Sequence, residues 1–296
     1  MSAARLRTLP LSVSGILVGS SYAFFENTFN FCLFIIALLT TVSYQVLSNF
    51  ANDYGDGIKG ADDNRSGPKR AVQSGLISRS SMKNAIILLS VISIILTLYL
   101  VILAFGVFTK YFLFFVGLGG LAIFAAIKYT VGKFAYGYFG LGDFFVFIFF
   151  GIISVLGSNF LYGSSLNWFL LNPALTLGLL SVGVLNLNNM RDLESDDKSG
   201  KKTLAVFMGK KTAKVYHFIL ISAAVFLILT FQINLEIKSV VLNALLLLNV
   251  LGLAIHLFQV YNITNPLDYD KFLKIIALHA FFYSTIISLY FFKIIV

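Results

Sequence analysis

Cysteine is nearly absent. The one thiol, Cys32, has no partner for an intrachain disulfide and says nothing about the redox compartment. Histidine is scarce too. His217, His256 and His279 fall on three separate stretches with no metal-ligand spacing, which points to structural roles rather than a metal centre. No Walker loop, Gly-x-Gly-x-x-Gly fingerprint or Ser–His–Asp arrangement is present, so the functions those motifs carry are set aside. Charge is the most telling shortage. Only 12% of residues are Asp, Glu, Lys or Arg, against roughly 25% in soluble domains. Hydrophobic residues make up 58% of the chain, and the mean hydropathy is +0.88. That balance excludes a soluble globular chain and describes an all-α, polytopic membrane protein.

Uncharged runs cover 8–25, 27–52, 84–109, 111–127, 144–190, 215–235, 239–267 and 275–292. A span needs about 20 apolar residues. The run 144–190 is too long for one helix and breaks at the turn-like stretch Tyr162-Gly163-Ser164-Ser165-Leu166-Asn167. Nine spans are expected, near 9–25, 30–52, 84–106, 111–128, 140–161, 168–188, 215–232, 239–260 and 273–293. The span 111–128 is the weakest, being short and holding Gly117, Gly119 and Gly120. Residues 1–296 read as one membrane domain with no soluble appendage.

The cations set the orientation. With nine spans, nineteen of the twenty-two Lys and Arg residues share one side, and only Lys110, Lys238 and Lys293 lie on the other. By the positive-inside rule the N-terminus is cytoplasmic and the C-terminus outside. The net charge of +9 is then mostly topology, with anionic lipid accounting for the rest, and nucleic acid need not be invoked. The first apolar run is expected to be a retained helix, since no small-x-small cleavage site follows it. Nothing in the sequence sets an oligomeric state.

The longest loops, about 55–83 and 189–214, hold two acidic clusters. Asn52, Asp53, Asp56, Asp62 and Asp63 lie around the first; Asn188, Asn189, Arg191, Asp192, Glu194, Asp196 and Asp197 form the second. Together they contain eight of the thirteen carboxylates, and acids at a membrane edge are costly unless functional. Gln45, Asn49, Asn52 and Asp56 are spaced to share one helix face, as are Asn189, Asp192 and Asp196. Asn52-xxx-Asp56-xxx-Gly60 echoes Asn188-xxx-Asp192-xxx-Asp196 at an offset of 136 residues. Clustered acids repel unless a cation lies between them. Mg²⁺, which takes a few carboxylates, waters and phosphate oxygens, suits the pattern. Solvated helix ends neutralised by Lys and Arg are the plainer account. Arg65, Lys69 and Arg70 follow the first cluster, Lys198, Lys201 and Lys202 surround the second, and Lys128 and Lys133 flank Tyr129. These are candidate diphosphate ligands, although topology alone explains many cations between 198 and 214. Arg191 differs, because it sits between Asn189 and Asp192 at the membrane edge. Tyr136 and Tyr138 are candidates to face a carbocation or ordinary interface aromatics, and Asp143 fits a polar cavity or a helix start.

These motifs resemble the UbiA-type intramembrane prenyltransferases, and most closely their menaquinone-pathway branch. The resemblance rests on Asn52-Asp53-Tyr54-Gly55-Asp56-Gly57 through Arg65-Ser66-Gly67-Pro68-Lys69-Arg70 to Gly75, on Asn188-Asn189-Met190-Arg191-Asp192 through Gly200-Lys201-Lys202-Thr203-Leu204-Ala205-Val206, and on the opening Arg7-Thr8-Leu9-Pro10-Leu11. The first superfamily motif is Asn-xxx-Asp-xxx-Asp; here Gly60 replaces its last acid, and Asp62 is the next one along. The resemblance implies nine helices around a central cavity open to the cytoplasmic side, in a bacterial cytoplasmic membrane. It implies Mg²⁺ held by Asn52, Asp56, Asp192 and Asp196, with Asp56, Asp192, Asp196 and Arg191 catalytic. Asn49, Asp62, Tyr129, Asn188 and Asn189 are candidate contacts for the acceptor or the cation. The implied substrates are a polyprenyl diphosphate and an aromatic acid, a dihydroxynaphthoate that loses its carboxylate as the prenyl group arrives. A sibling enzyme using 4-hydroxybenzoate, a haem or a chlorophyll precursor stays open. So does a cation-coupled transporter, although the ionisable groups crowd one face rather than the midplane.

Overall fold

Each apolar run folds as a helix whose ends are set by short-range capping. The computed structural model describes residues 3–5, 8–60, 70–163, 165–235 and 237–293. Helix α1 is Leu9–Phe25, with Pro10 in its first turn. Helix α2, Phe31–Lys59, starts where the Asn30 side chain accepts from the amides of Cys32 and Leu33. Helices α3 (Arg79–Phe105) and α4 (Lys110–Lys128) are capped by Ser78 and Thr109. The next span, Gly142–Gly163, comprises α5 (Gly142–Val146), a π-helical stretch Phe147–Gly157 and α6 (Ser158–Gly163). Then come α7 (Leu171–Arg191), the short α8 (Leu193–Lys198), α9 (Leu204–Asn234), α10 (Val240–Tyr261) and α11 (Tyr269–Phe291). No strand occurs among the described residues.

Among the described residues, eight spans are long and apolar enough to cross a bilayer, and the seventeen-residue α1 is a shorter ninth. They match the nine expected runs, with two informative differences. Helix α2 continues to Lys59, seven residues past the expected end, because charge does not interrupt a helix that has left the hydrocarbon. It stops at Gly60, whose φ of 71° is the left-handed helix end that favours glycine. That accounts locally for a glycine where the motif has an acid. Helix α9 starts at Leu204 rather than near 215 and is broken at Gly209.

Helix α7 lies at the centre, packed by α9, α11 and the π-helical stretch. Small residues allow the closest approaches. A Cβ at Gly15 or Gly19 of α1 would collide with Ser154, or with Ser158 and Val155, and one at Gly151 would meet the backbone of Ala174 and Gly178. Small residues at crossings are how membrane helices maximise dispersion contact. The glycines of α4 do not break it. Gly119 is wedged against Thr97 and the Tyr44 hydroxyl, whereas Gly117 and Gly120 face open space. The histidines are less scattered than their spacing suggests: His217 and His256 place Nε2 atoms 3.0 Å apart, and His279 bonds Asn249.

Candidate active site

The polar stripe on α2 descends along a cavity of about 370 Å³. Its charged end is lined by Asn52, Asp56, Arg70 and Lys201, and its other end by residues such as Ile16, Ala37 and Leu161. From Asp56 back to Ala37, α2 runs for about 28 Å at 1.5 Å per residue. Along the stripe, Gln45 bonds Ser12 and Thr8 of the α1 region, while Asn49 donates to the carbonyl of Ala4. Thr130 donates to the Ala51 carbonyl and lies 3.4 Å from Asn52 Oδ1. These bonds fix the roll of α2 and aim Asn52 and Asp56 into the cavity.

Asp53 points elsewhere. Its two carboxylate oxygens accept the amides of Ala71 and Val72 at 3.0 and 3.1 Å. The chain is thereby pinned as it returns, and buried Arg70 places Nη2 3.9 Å from Asp56 Oδ2. Asp56, only 2% exposed, also accepts from Tyr138 OH at 2.9 Å and from Lys201 Nζ at 3.2 Å. The same ammonium lies 3.8 Å from Asp196 Oδ1. Acids 140 positions apart in the chain thus converge on one cation. Burial alone would push the Lys201 ammonium down; Asp56 and Asp196 outweigh it and hold it above the usual lysine range.

Asp192 and Arg191 form a separate unit. The fully buried guanidinium donates to Asp192 through Nε at 2.9 Å and Nη2 at 2.8 Å, to Asp270 of α11 at 2.6 Å and to Asn188 at 2.6 Å. Four charge-assisted bonds nearly use up its donors. Arg191 thus clamps α7 to α11 rather than facing the cavity, which it does not line.

The remaining candidates divide. Asn49, Asn188 and Tyr129 line the cavity. Burial pushes the Tyr129 phenol up to about 12, with Lys201 opposing, so it stays protonated. Asn189 is buried but off the cavity lining. Lys128 is half-buried beside Gly132 and also off the lining, and Lys133 and Lys198 are exposed. Asp62, Arg65 and Lys69 lie outside the described residues. The sequence offers Lys201 as one of several candidate diphosphate ligands, Tyr138 as a candidate neighbour of a carbocation and Asp53 as a member of the first cluster, but it points to none of the bonds they make here, and it does not single out Asp270. Lys201 was hard to tell from a run of cations already explained by topology. Asp270 had one usable signal, an acid at a membrane edge to match the unexplained Arg191.

No group of three or more His, Cys, Asp or Glu among the described residues forms a ready metal cage. The donor set nevertheless fits Mg²⁺. Asp56 and Asp196 are hard oxygen ligands already gathered around a positive charge, and Mg²⁺ completes its shell with water and phosphate rather than protein alone.

The chain belongs to the UbiA prenyltransferase family, which it matches over residues 12–286. It is a polyprenyltransferase, and several of its bacterial relatives share one name. It is 41% identical over 289 residues to the 1,4-dihydroxy-2-naphthoate octaprenyltransferase of Haemophilus influenzae, covering 97% of this chain and 93% of that one. It is 43% identical over 230 residues to the Escherichia coli protein of the same name, covering 77% and 74%. The fold recurs in solved structures at low identity. The apo UbiA homolog from Aeropyrum pernix K1 superposes with a TM-score of 0.69 at 16% identity, covering 96% of both chains. The UbiA homolog from Archaeoglobus fulgidus bound to DMAPP and Mg²⁺ gives 0.59 at 16%, covering 96% and 98%.

Proposed function

We propose that this protein transfers a polyprenyl group from its diphosphate to 1,4-dihydroxy-2-naphthoate, releasing CO₂ and diphosphate and giving a demethylmenaquinol. The carrying observation is the cavity's division into a charged end at Asp56, Arg70 and Lys201 and a long, mainly apolar remainder along which the polar stripe of α2 runs. A polyprenyl diphosphate has the same division. The curated relatives supply the acceptor.

Asn52, Asp56, Asp192 and Asp196 would hold Mg²⁺, with the Asp192 carboxylate held in place by its two Arg191 bonds. A Mg²⁺ ion bound there would supply positive charge to offset that of the departing diphosphate. Arg70 and Lys201 add cationic donors for the oxygen that gains charge as the allylic C–O bond breaks. Tyr136, Phe145 and Phe149 line the cavity beyond them, with Tyr136 and Phe145 centroids 4.2 Å apart. Their faces stabilise the allylic cation and seat a flat aromatic ring. The ring carbon bearing the carboxylate attacks the cation, and the C–CO₂ bonding pair restores the aromatic system as CO₂ leaves. Arg191 acts by positioning Asp192. The site opens to the cytoplasmic side of a bacterial inner membrane, with the N-terminus on that side; the cation asymmetry supports this.

Product mass spectrometry tests the reading. Membranes containing the protein receive dihydroxynaphthoate, 4-hydroxybenzoate and a polyprenyl diphosphate together. The expected outcome is prenylated naphthoate with little prenylated benzoate, and no product after EDTA. A fused ring buries more apolar area, at about 25 cal/mol per Å², and a loosely held single ring loses near-attack alignment. Comparable yields from both acids overturn the naphthoate assignment, and full turnover in EDTA overturns the metal.

A further inference from the structure

The Lys201 ammonium occupies the place between the two acidic clusters that a divalent cation needs. It bonds Asp56 Oδ2, a proposed ligand oxygen, and faces Asp196 Oδ1. Asp56 and Asp196 are 2% and 5% exposed, and Lys201 is 6%. Buried carboxylates without a countercharge are strongly destabilising, and Lys201 supplies one to both acids, with Arg70 beside it at Asp56. The anchoring of Lys201 is on its main chain: its amide donates to the Asp196 carbonyl at 2.8 Å, and its carbonyl accepts from Thr203 at 3.0 Å. The side chain is a flexible four-carbon stem ending in three rotatable donors. The backbone is therefore fixed while the charge can move.

We propose that Lys201 is the resident countercation of the metal-free site, and that it withdraws from Asp56 and Asp196 when a divalent cation binds, to become a donor to the substrate diphosphate. This rests on the metal-dependent reading above. The reason is mutual exclusion. An ammonium and a divalent ion cannot share the same buried carboxylate oxygens, because like charges a few ångströms apart repel strongly in such surroundings. The displaced ammonium stays at the charged end of the cavity, where the incoming anion is the diphosphate. Metal alone must compete with Lys201, whereas metal arriving with diphosphate gives Lys201 a new partner. The lysine thus couples the two binding events, and the substrate draws in its own metal.

The test uses purified full-length protein in lipid nanodiscs, with no acceptor present. Mn²⁺ binding is followed by electron paramagnetic resonance, with and without an unreactive polyprenyl thiolodiphosphate. Lys201→Met is expected to bind Mn²⁺ alone more tightly than wild type, by about tenfold, the factor that 1.4 kcal/mol carries. It is also expected to lose most of the gain in Mn²⁺ affinity that the analogue gives wild type. Lys211→Met, at an exposed position on α9, is expected to change neither. Unchanged or weaker Mn²⁺ binding by folded Lys201→Met overturns the proposal. A measurement on wild type decides the matter even if that variant fails to fold. Amine acylation read by peptide mass spectrometry is expected to be slow at Lys201 without metal, faster with Mg²⁺ alone, and slow again when the analogue is added. No rise with Mg²⁺, while Mn²⁺ binds normally, overturns this proposal and leaves the prenyltransferase reading intact. Wild type that binds no Mn²⁺ even with the analogue overturns both this proposal and the metal dependence it rests on.

Discussion

Asp56→Asn lowers prenyl transfer by at least about a hundredfold, the scale of removing one well-placed electrostatic group from a transition-state site, and leaves the protein folded. Asp56 is where three cationic or polar groups meet: Tyr138, Lys201 and Arg70. The amide is nearly isosteric and its oxygen still accepts from Tyr138. Lys201 retains Asp196 at 3.8 Å, so the buried ammonium is not abandoned. What disappears is the negative charge proposed to hold Mg²⁺ against the diphosphate. Initial rates with saturating diphosphate, set beside the melting temperature in the same detergent, separate the two effects. A wild-type rate in Asp56→Asn excludes the carboxylate from the chemistry. A lost rate accompanied by an equal loss of folded protein reassigns it to structure.

Arg191→Met acts mainly on stability, with an expected cost of about 3–5 kcal/mol, the usual scale for removing one partner of a buried ion pair. The side chain is fully buried, and its loss leaves Asp192 without its bidentate partner in a 5% exposed position. Asp270 is 26% exposed and recovers water, so most of the cost comes from Asp192. Arg191→Met with Asp192→Asn is therefore expected to be more stable than Arg191→Met alone. Equal stabilities in a denaturant series would show that the guanidinium matters through packing rather than charge. Arg191→Lys is expected to be intermediate, because a point charge cannot span both Asp192 oxygens and also reach Asp270.

Most of the helical layout was legible in the sequence because hydrocarbon admits so few charges. Gaps between Lys, Arg, Asp and Glu marked the spans directly, even the glycine-bearing α4. Helix ends beyond the hydrocarbon were less legible. The extension of α2 to Lys59 and the break at Gly209 depend on capping and loop packing, which hydropathy does not record. At the site, helical spacing put Asn52 and Asp56 on one face, and simple proximity in sequence flagged Arg70. The groups that complete it come from elsewhere: Tyr138 from the α4–α5 connection, Lys201 from the loop before α9, Asp270 from the start of α11. Nothing local to those residues announces the convergence. Arg191 shows the opposite limit. Its oddity at a membrane edge was visible, yet whether it faced a phosphate or a carboxylate depended on a partner 79 positions away.

That long reach has a consequence for how the protein is made. Spans enter the bilayer in order, so α7 delivers Arg191 well before α11 brings Asp270. Asp56 likewise waits for Lys201 until six spans have emerged. During synthesis the two acidic clusters therefore stay hydrated at the membrane surface, since drawing them inward before their partners arrive would bury uncompensated charge. The final span does more than add a helix. By completing the Arg191 clamp it lets α7 settle against α11, so a nascent chain stalled before residue 269 would carry a full set of proposed metal ligands on a scaffold still unable to close.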